Sequence, residues 1–153
     1  GGWSVDYGVS AHEFDRRGIR QAYEDYFALE VQLAASGVVD VLAHVDVVKR
    51  FGHAPPTPPT DLYRAVVAAA ANSGTAVELS SAGLHKPVGE VYPNPVFLRM
   101  FREAGVPITL ASDAHQPDEC GRDAGTLAQL AADAGYEHYL RFDQRRPILR
   151  PLP

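Results

Sequence analysis

The strongest constraint on the fold is a boundary between helix and strand that recurs four times along the chain. Each time, a helical pattern ends in a small residue followed by glycine, and a β-rich run begins directly afterwards. The glycines are Gly37, Gly74, Gly105 and Gly135. Glycine just past a helix supplies a left-handed cap, and a spacing of roughly thirty residues is that of one βα unit. The sequence therefore predicts an α/β protein with about four parallel βα units.

The periodicity of apolar residues places strands and helices between these boundaries. The predicted strands cover residues 38–43, 75–79, 106–111 and 136–142, and the predicted helices cover about 17–35, 60–72, 95–103 and 124–132. On the first helix, Tyr23, Tyr26 and Phe27 are expected to face the core. Residues 144–153 contain three prolines and three arginines. We expect them to form an irregular tail lying over the fold.

Composition and charge exclude several classes of function. The chain is 46% hydrophobic and 22% charged, with a net charge of −5, and this acidic balance argues against nucleic acid as a partner. It has no apolar run near the roughly eighteen residues of a membrane helix and no visible signal peptide, so no membrane partner is expected. Its single cysteine, Cys120, predicts a reducing cytoplasm. The proline-rich stretches 54–59 and 86–95 are too short to be linkers, so residues 1–153 are expected to form one domain.

Residues able to bind metal ions follow three of the predicted strands. His44 follows the first strand, Glu78 ends the second, and Asp113 and His115 follow the third. In extended backbone, residues two apart point the same way, so Asp113 and His115 can converge on one ion or one substrate oxygen. The carboxyl ends of parallel strands share one rim, where α/β enzymes place their chemistry. Imidazole and carboxylate ligands suit Zn, Mn or Fe, which favours metal-assisted hydrolysis.

Three segments of the chain resemble the later part of the histidinol-phosphatases of the PHP (polymerase and histidinol phosphatase) family. They are residues 40–51, 78–95 and 111–115, which occur in the family's order and cover roughly the central half of the chain. The most specific is the loop Gly-Leu-x-Lys-Pro-x-Gly-Glu-x-Tyr-Pro at 83–93, because a metal-binding pair alone would fit many hydrolases. The resemblance points to the histidinol-phosphatase branch.

The resemblance implies a distorted, seven-stranded βα barrel of the TIM-like kind that binds up to three divalent metal ions. It implies hydrolysis of L-histidinol phosphate to L-histidinol and phosphate, in histidine biosynthesis. It also implies that His44, Asp113 and His115 are metal ligands. The family's other ligands, including an N-terminal His-x-His, have no counterpart in these residues, and Gly1 resembles a position just after one of them.

We therefore expect the chain to be the C-terminal part of a single PHP phosphatase domain. Its partners would be the N-terminal part of the same protein and a small phosphorylated substrate, and the isolated chain would be nearly inactive. A closed barrel usually needs about 200–250 residues, so a smaller doubly wound sheet is the alternative fold. The sequence leaves the oligomeric state open.

The resemblance and the residue types together suggest roles for further side chains. Candidates for binding phosphate are Arg50, His85, Lys86 and Arg122, with Arg50 ranked first. The family usually has arginine where this chain has His85, and the replacement removes a fork of donors that matches phosphate. Another small phosphate ester is therefore an alternative substrate. Asp113 and His115 are also the catalytic candidates. Either His115 or a residue of the N-terminal part could protonate the leaving group.

Each of these residues has a structural alternative. His44 could be a core histidine, Asp113 a helix cap, and His115 a surface hydrogen-bonding residue. Glu78 and Asp46 could orient a metal ligand by hydrogen-bonding to it, or could accept hydrogen bonds from loop amides in a purely structural role. The residues expected at the surface or as plain surface charge are His12, Lys49, Arg50, His53, Lys86, Arg122 and His138. The alternative outside catalysis is an inactive fragment or a structural half that pairs with another chain.

Overall fold

A computed structural model describes residues 3–8 and 11–153. The helices of this part of the chain are α1 (His12–Arg17), α2 (Ile19–Ser36), α3 (Thr60–Ser73), α4 (Pro95–Glu103) and α5 (Ala124–Asp133). The strands are β1 (Val41–Leu42), β2 (Ala76–Ser80), β3 (Ile108–Ala111), β4 (His138–Asp143) and β5 (Arg146–Pro151). Within the described ranges, no helix combines the length and apolar character needed to cross a membrane.

The first three strands form a parallel sheet in the order β1-β2-β3. Val41 pairs with Ala76, and Val77 pairs with Ile108, so the three strands end at one edge of the sheet. The central strand β2 is buried along most of its length, as expected for a parallel strand covered on both faces. The predicted α/β class and three of its parallel strands are confirmed.

The core lies where α2, α3 and α4 pack on one another beside the sheet. Tyr63 stacks on Phe97 with ring centroids 4.0 Å apart, and Phe27 meets both rings edge-on. Tyr23 and Phe27 are buried, as expected, while Tyr26 is half-buried. The last three helices begin and end within a residue of their predicted limits, and the Asn94 side chain caps α4 by accepting from the Val96 amide at 2.9 Å.

Two of the sequence predictions fail near the start of the chain. The first helix was expected to begin near Arg17, but α1 precedes it and the two helices separate at Gly18, whose φ is 82°. The first strand was expected to cover 38–43, but β1 contains only Val41 and Leu42. Val38 is 69% exposed, so the apolar character of this run does not reflect burial in a strand.

The predictions for the last twenty residues are wrong in a different way. The fourth strand is not parallel to the others, because β4 pairs antiparallel with β5, and the expected irregular tail is this second strand. Gln144 and Arg145 form the two-residue connection with φ values of 48° and 65°, as a tight hairpin turn requires. This hairpin lies against the amino ends of the parallel strands, where Arg145 Nε donates to Asp40 Oδ2 at 2.8 Å.

Candidate functional site

A cavity of about 120 Å³ lies beyond the carboxyl ends of the parallel strands. Its lining residues are Asp6, His44, Val47, Arg50, Ala82, Lys86, Tyr92, Asp113 and His115. The structure thus brings the three predicted metal ligands to one cavity, together with two of the four candidate phosphate-binding residues. The opposite end of the sheet is occupied by the hairpin of β4 and β5.

His44 is positioned by the sharp turn that follows β1. Its φ of 35° lies in the left-handed region, and its backbone amide donates to Glu78 Oε1 at 3.2 Å. Its ring nitrogen Nδ1 is buried and, among the described residues, has no hydrogen-bond partner. Burial raises the pKa of Glu78, while the hydrogen bond from His44 opposes the shift. Glu78 therefore holds the turn that presents the imidazole.

Asp113 and His115 reach the cavity by a route that the sequence did not predict. The strand β3 ends at Ala111, and Asp113 has a φ of 51°, so these residues are not in extended backbone. The Asp113 carbonyl lies 2.8 Å from His115 Nδ1, and the His115 amide donates to Glu119 Oε2 at 2.8 Å. A tight turn, rather than the alternation of a strand, places both side chains at the cavity.

The residues at the cavity supply the right donor types for a transition metal, but not a complete ligand set. An unpartnered buried imidazole nitrogen and a nearby imidazole and carboxylate match the preferences of Zn, Mn and Fe. In the part of the chain that the structure describes, no three His, Cys, Asp or Glu side chains are arranged to hold an ion. Any ion here would need ligands besides those of His44, Asp113 and His115.

Arg50 and Lys86 provide positive charge at the same cavity. Arg50 is half-buried, with its nearer guanidinium nitrogen 3.9 Å from Asp6 Oδ2. Its Nε is buried and has no partner within residues 3–8 and 11–153. The Val88 amide donates to the Arg50 carbonyl at 3.1 Å, which fixes the loop bearing Lys86 beside the segment bearing Arg50.

The other two candidate phosphate-binding residues lie elsewhere. His85 Nε2 is 2.6 Å from Asp123 Oδ2, and the Arg122 guanidinium is 3.6 Å from Glu119 Oε1. Neither is among the described residues that line the cavity. Both side chains therefore contact carboxylates beside the cavity and not within it.

An ion cluster with a buried centre, Asp46 and Lys49, lies beside the cavity, and its other members are half-buried. Lys49 Nζ contacts Asp46 Oδ2 at 2.9 Å, Glu90 Oε2 at 2.6 Å and the Val91 carbonyl at 2.8 Å. The Asn94 amide donates to Asp46 Oδ2 at 2.7 Å. Burial raises the pKa of Asp46, and Lys49 opposes the shift. We call these four side chains (Asp46, Lys49, Glu90 and Asn94) the Lys49 cluster; it joins the segment after His44 to the end of the loop at 83–93.

Sequence reasoning missed the two other polar residues of the cavity, Asp6 and Tyr92, and misplaced one histidine. Tyr92 lies within the recognised loop motif, and its place in that motif could have marked it as a site residue. Nothing in the sequence marked Asp6. His53 was expected at the surface, but it is half-buried because its ring stacks on Phe14 at 4.4 Å. His12, His138 and Cys120 are exposed.

Comparison with known proteins finds a similar sequence and a similar fold. Over 135 residues, which are 88% of the chain, it is 40% identical to a Deinococcus radiodurans protein named probable histidinol-phosphatase. The fold is similar to the crystal structure of HisK from Listeria monocytogenes, provisionally named a histidinol phosphatase, with a TM-score of 0.69 and 21% identity over 80% of the chain. The chain spans about half of each protein, 51% in both cases. No protein-family model matches the chain.

Proposed function

We propose that this chain is part of a metal-dependent phosphoric monoester hydrolase that converts L-histidinol phosphate to L-histidinol and phosphate. The observation that carries the proposal is the shared cavity of His44, Asp113, His115, Arg50 and Lys86. It combines metal-ligand types with two cationic side chains, as hydrolysis of a phosphate ester requires. The names of the two similar proteins support the same substrate.

In this proposal, His44, Asp113 and His115 would bind divalent ions of Zn, Mn or Fe, up to three in the whole enzyme with ligands from elsewhere. A bound ion would polarise the phosphoryl group and lower the pKa of a water molecule. Arg50 and Lys86 hold the phosphate oxygens by charge-assisted hydrogen bonds. The bond between His115 Nδ1 and the Asp113 carbonyl fixes that ring and leaves only Nε2 for chemistry. Nε2 would either bind an ion or, where the ions are held by other ligands, protonate the leaving alkoxide.

The wider setting belongs to the same proposal. The three-stranded parallel sheet would be the C-terminal portion of a βα barrel in a longer, cytoplasmic protein of the PHP family that acts in histidine biosynthesis. A second candidate is hydrolysis of another small phosphate ester. The pairing of His85 with Asp123 favours this candidate. His85 stands where the family usually has arginine, and its contact with Asp123 keeps its ring from binding phosphate in the arginine's place.

The test is phosphate release from L-histidinol phosphate, with Mn²⁺ or Zn²⁺ added, by this chain and by a longer protein that contains it. The longer protein is expected to be active and the 153-residue chain nearly inactive. In the longer protein, Arg50→Gln should raise KM about tenfold or more, since a hydrogen bond to a charged group contributes about 1.5–3 kcal/mol. Arg122→Gln, outside the cavity, should leave KM nearly unchanged.

Two results would contradict the proposal. A longer protein that releases no phosphate with either metal would remove the hydrolase function. Comparable turnover by the short chain would show that the residues described here suffice and that the fragment interpretation is wrong. Activity on other phosphate monoesters but not on L-histidinol phosphate would select the second candidate.

A further inference from the structure

Tyr92 presents a phenol hydroxyl that the proposed chemistry does not yet use. The residue is 2% exposed and lines the cavity with Arg50 and Lys86. Its hydroxyl oxygen is buried, yet the structure shows no hydrogen-bond partner for it among the described residues. A buried hydroxyl without a partner is costly, so such a group calls for an explanation.

Tyr92 is held by backbone hydrogen bonds to β2 and by packing of its ring on the loop. The Tyr92 amide donates to the Ser80 carbonyl at 3.0 Å, and the Ser80 amide donates to the Tyr92 carbonyl at 2.7 Å, directly at the end of β2. The ring lies over Gly83, where an added Cβ would stand 2.9 Å from the carbon that bears the hydroxyl. The phenol therefore cannot swing freely to find another partner.

Several charged groups lie close enough to the phenol to act on it, and most of them line the cavity. The charges of Asp46, Arg50, Asp113 and Asp6 all affect its ionisation, and the last three belong to cavity-lining residues. Burial raises the pKa of Tyr92, so the hydroxyl keeps its proton at neutral pH. Two hydrogen-bond donors, Arg50 Nε and the Tyr92 hydroxyl, thus lie at one cavity, and no partner for either is found in the described ranges.

We propose that Tyr92 is a phosphate-binding residue whose hydroxyl donates a hydrogen bond to a phosphate oxygen of the substrate, beside Arg50. The assignment rests on the proposed function in taking the anion to be a phosphate ester. Arg50 and Lys86 are half-buried and have long rotatable side chains, so both can shift to admit an anion to the phenol and remain in contact with it. Tyr92 supplies a neutral hydrogen-bond donor on a rigid ring, which fixes the position of the phosphate. The two flexible cations supply only electrostatic attraction.

The experiment measures binding of inorganic phosphate to the 153-residue chain by NMR titration, which needs no turnover. Tyr92→Phe keeps the ring and removes only the hydroxyl, and it should weaken phosphate binding roughly tenfold or more. The matched control is Tyr136→Phe, because Tyr136 is also buried but donates to the Val106 carbonyl at 3.0 Å, away from the cavity. The control should bind phosphate as the wild type does. L-histidinol, which lacks the phosphate, should bind the wild type and Tyr92→Phe equally.

Equal phosphate affinity in wild type and Tyr92→Phe would overturn the assignment, as would a wild-type chain that binds no phosphate at millimolar concentration. The rival explanation is a water molecule between the phenol and Asp46, whose Oδ1 also lacks a partner in the described part of the chain. In that case Tyr92→Phe would lower stability without changing phosphate affinity. If phosphate binds through Tyr92 but the longer protein does not hydrolyse L-histidinol phosphate, the proposed function fails and the assignment stands.

Discussion

Two neighbouring polar regions of this protein differ in how completely their hydrogen bonds are made. In the Lys49 cluster, the three contacts of the Lys49 ammonium group match its three donors, and Asp46 Oδ1 is the one buried atom without a partner among the described residues. In the cavity a few residues away, buried atoms of His44, Arg50 and Tyr92 have no partner among the described residues. Because unmade buried bonds are expensive, the first region is organised for stability and the second for an occupant.

The comparison predicts that breaking the Lys49 cluster has the largest effect on stability. Lys49 is 4% exposed and Asp46 is 1% exposed, so Lys49→Met leaves a buried carboxylate without its cation. The free energy of unfolding should fall by about 3–5 kcal/mol at neutral pH, as measured by urea denaturation. The loss should shrink at acidic pH, where Asp46 becomes protonated and its burial costs less.

The matched control for this change is Lys86→Met, the same substitution at the cavity. Lys86 is half-buried beside Arg50, and its removal should change the free energy of unfolding by less than about 0.5 kcal/mol. Equal losses in the two variants would show that the two regions do not differ in the way proposed here.

The next largest effect on stability is expected at Gly83, where the loop at 83–93 packs against its own backbone. An added Cβ at Gly83 would lie 2.0 Å from the Glu90 carbonyl oxygen and 2.9 Å from the Tyr92 ring. Gly83→Ala should therefore lower the free energy of unfolding by about 1–3 kcal/mol and move the Tyr92 ring. In α5, Gly125 has no described atom within 4 Å of an added Cβ, so Gly125→Ala should be neutral or slightly stabilising. Thermal denaturation of both variants measures the difference, and a neutral Gly83→Ala would contradict the packing described for the loop.

The smallest effect concerns the pH dependence of stability near the cavity. Burial raises the pKa of Glu78 above its ordinary value of 4.5, so the folded protein binds this proton more tightly than the unfolded chain. The free energy of unfolding should therefore fall as pH rises from that ordinary value through the raised pKa. Glu78→Gln keeps an acceptor for the His44 amide and should remove this part of the fall.

Glu119 should affect the pH dependence of stability in the opposite direction, so it serves as the comparison. The hydrogen bond from the His115 amide lowers the pKa of Glu119, so its contribution is lost as pH falls through the lowered pKa. The free energy of unfolding of wild type minus that of each variant, Glu78→Gln or Glu119→Gln, should be measured across acidic pH. The two differences should change with pH in opposite directions. Differences that change in the same direction would contradict the assignment of Glu78 as a buried carboxyl held by His44.

Sequence reasoning succeeded where local patterns determine structure. The glycines that end the helices and the apolar runs after them predicted α3, α4, α5 and the parallel strands. Knowing that parallel strands end at one edge was enough to bring His44, Asp113 and His115 to one cavity. These features depend on periodicity and on chain direction, which a single sequence carries.

It failed where long-range contacts override those patterns. Gln144 and Arg145 adopt positive φ without glycine or asparagine, so the turn of the hairpin carried no recognisable signal. Lys49 read as surface charge because two of its three partners, Glu90 and the Val91 carbonyl, lie more than forty residues away in the chain. The exposed turn at Asp113 replaced the expected strand geometry, although the residues it carries were the ones predicted.

The hairpin of β4 and β5 also imposes an order on folding during synthesis. Asp40, just before β1, pairs with Arg145, which is made 105 residues later. The parallel strands therefore leave the ribosome before the segment that covers their amino ends, and that end of the sheet stays open while translation continues. Until the hairpin is made, the nascent chain leaves uncovered the residues that later face Leu140 and Phe142, and this is the period in which a chaperone would protect them.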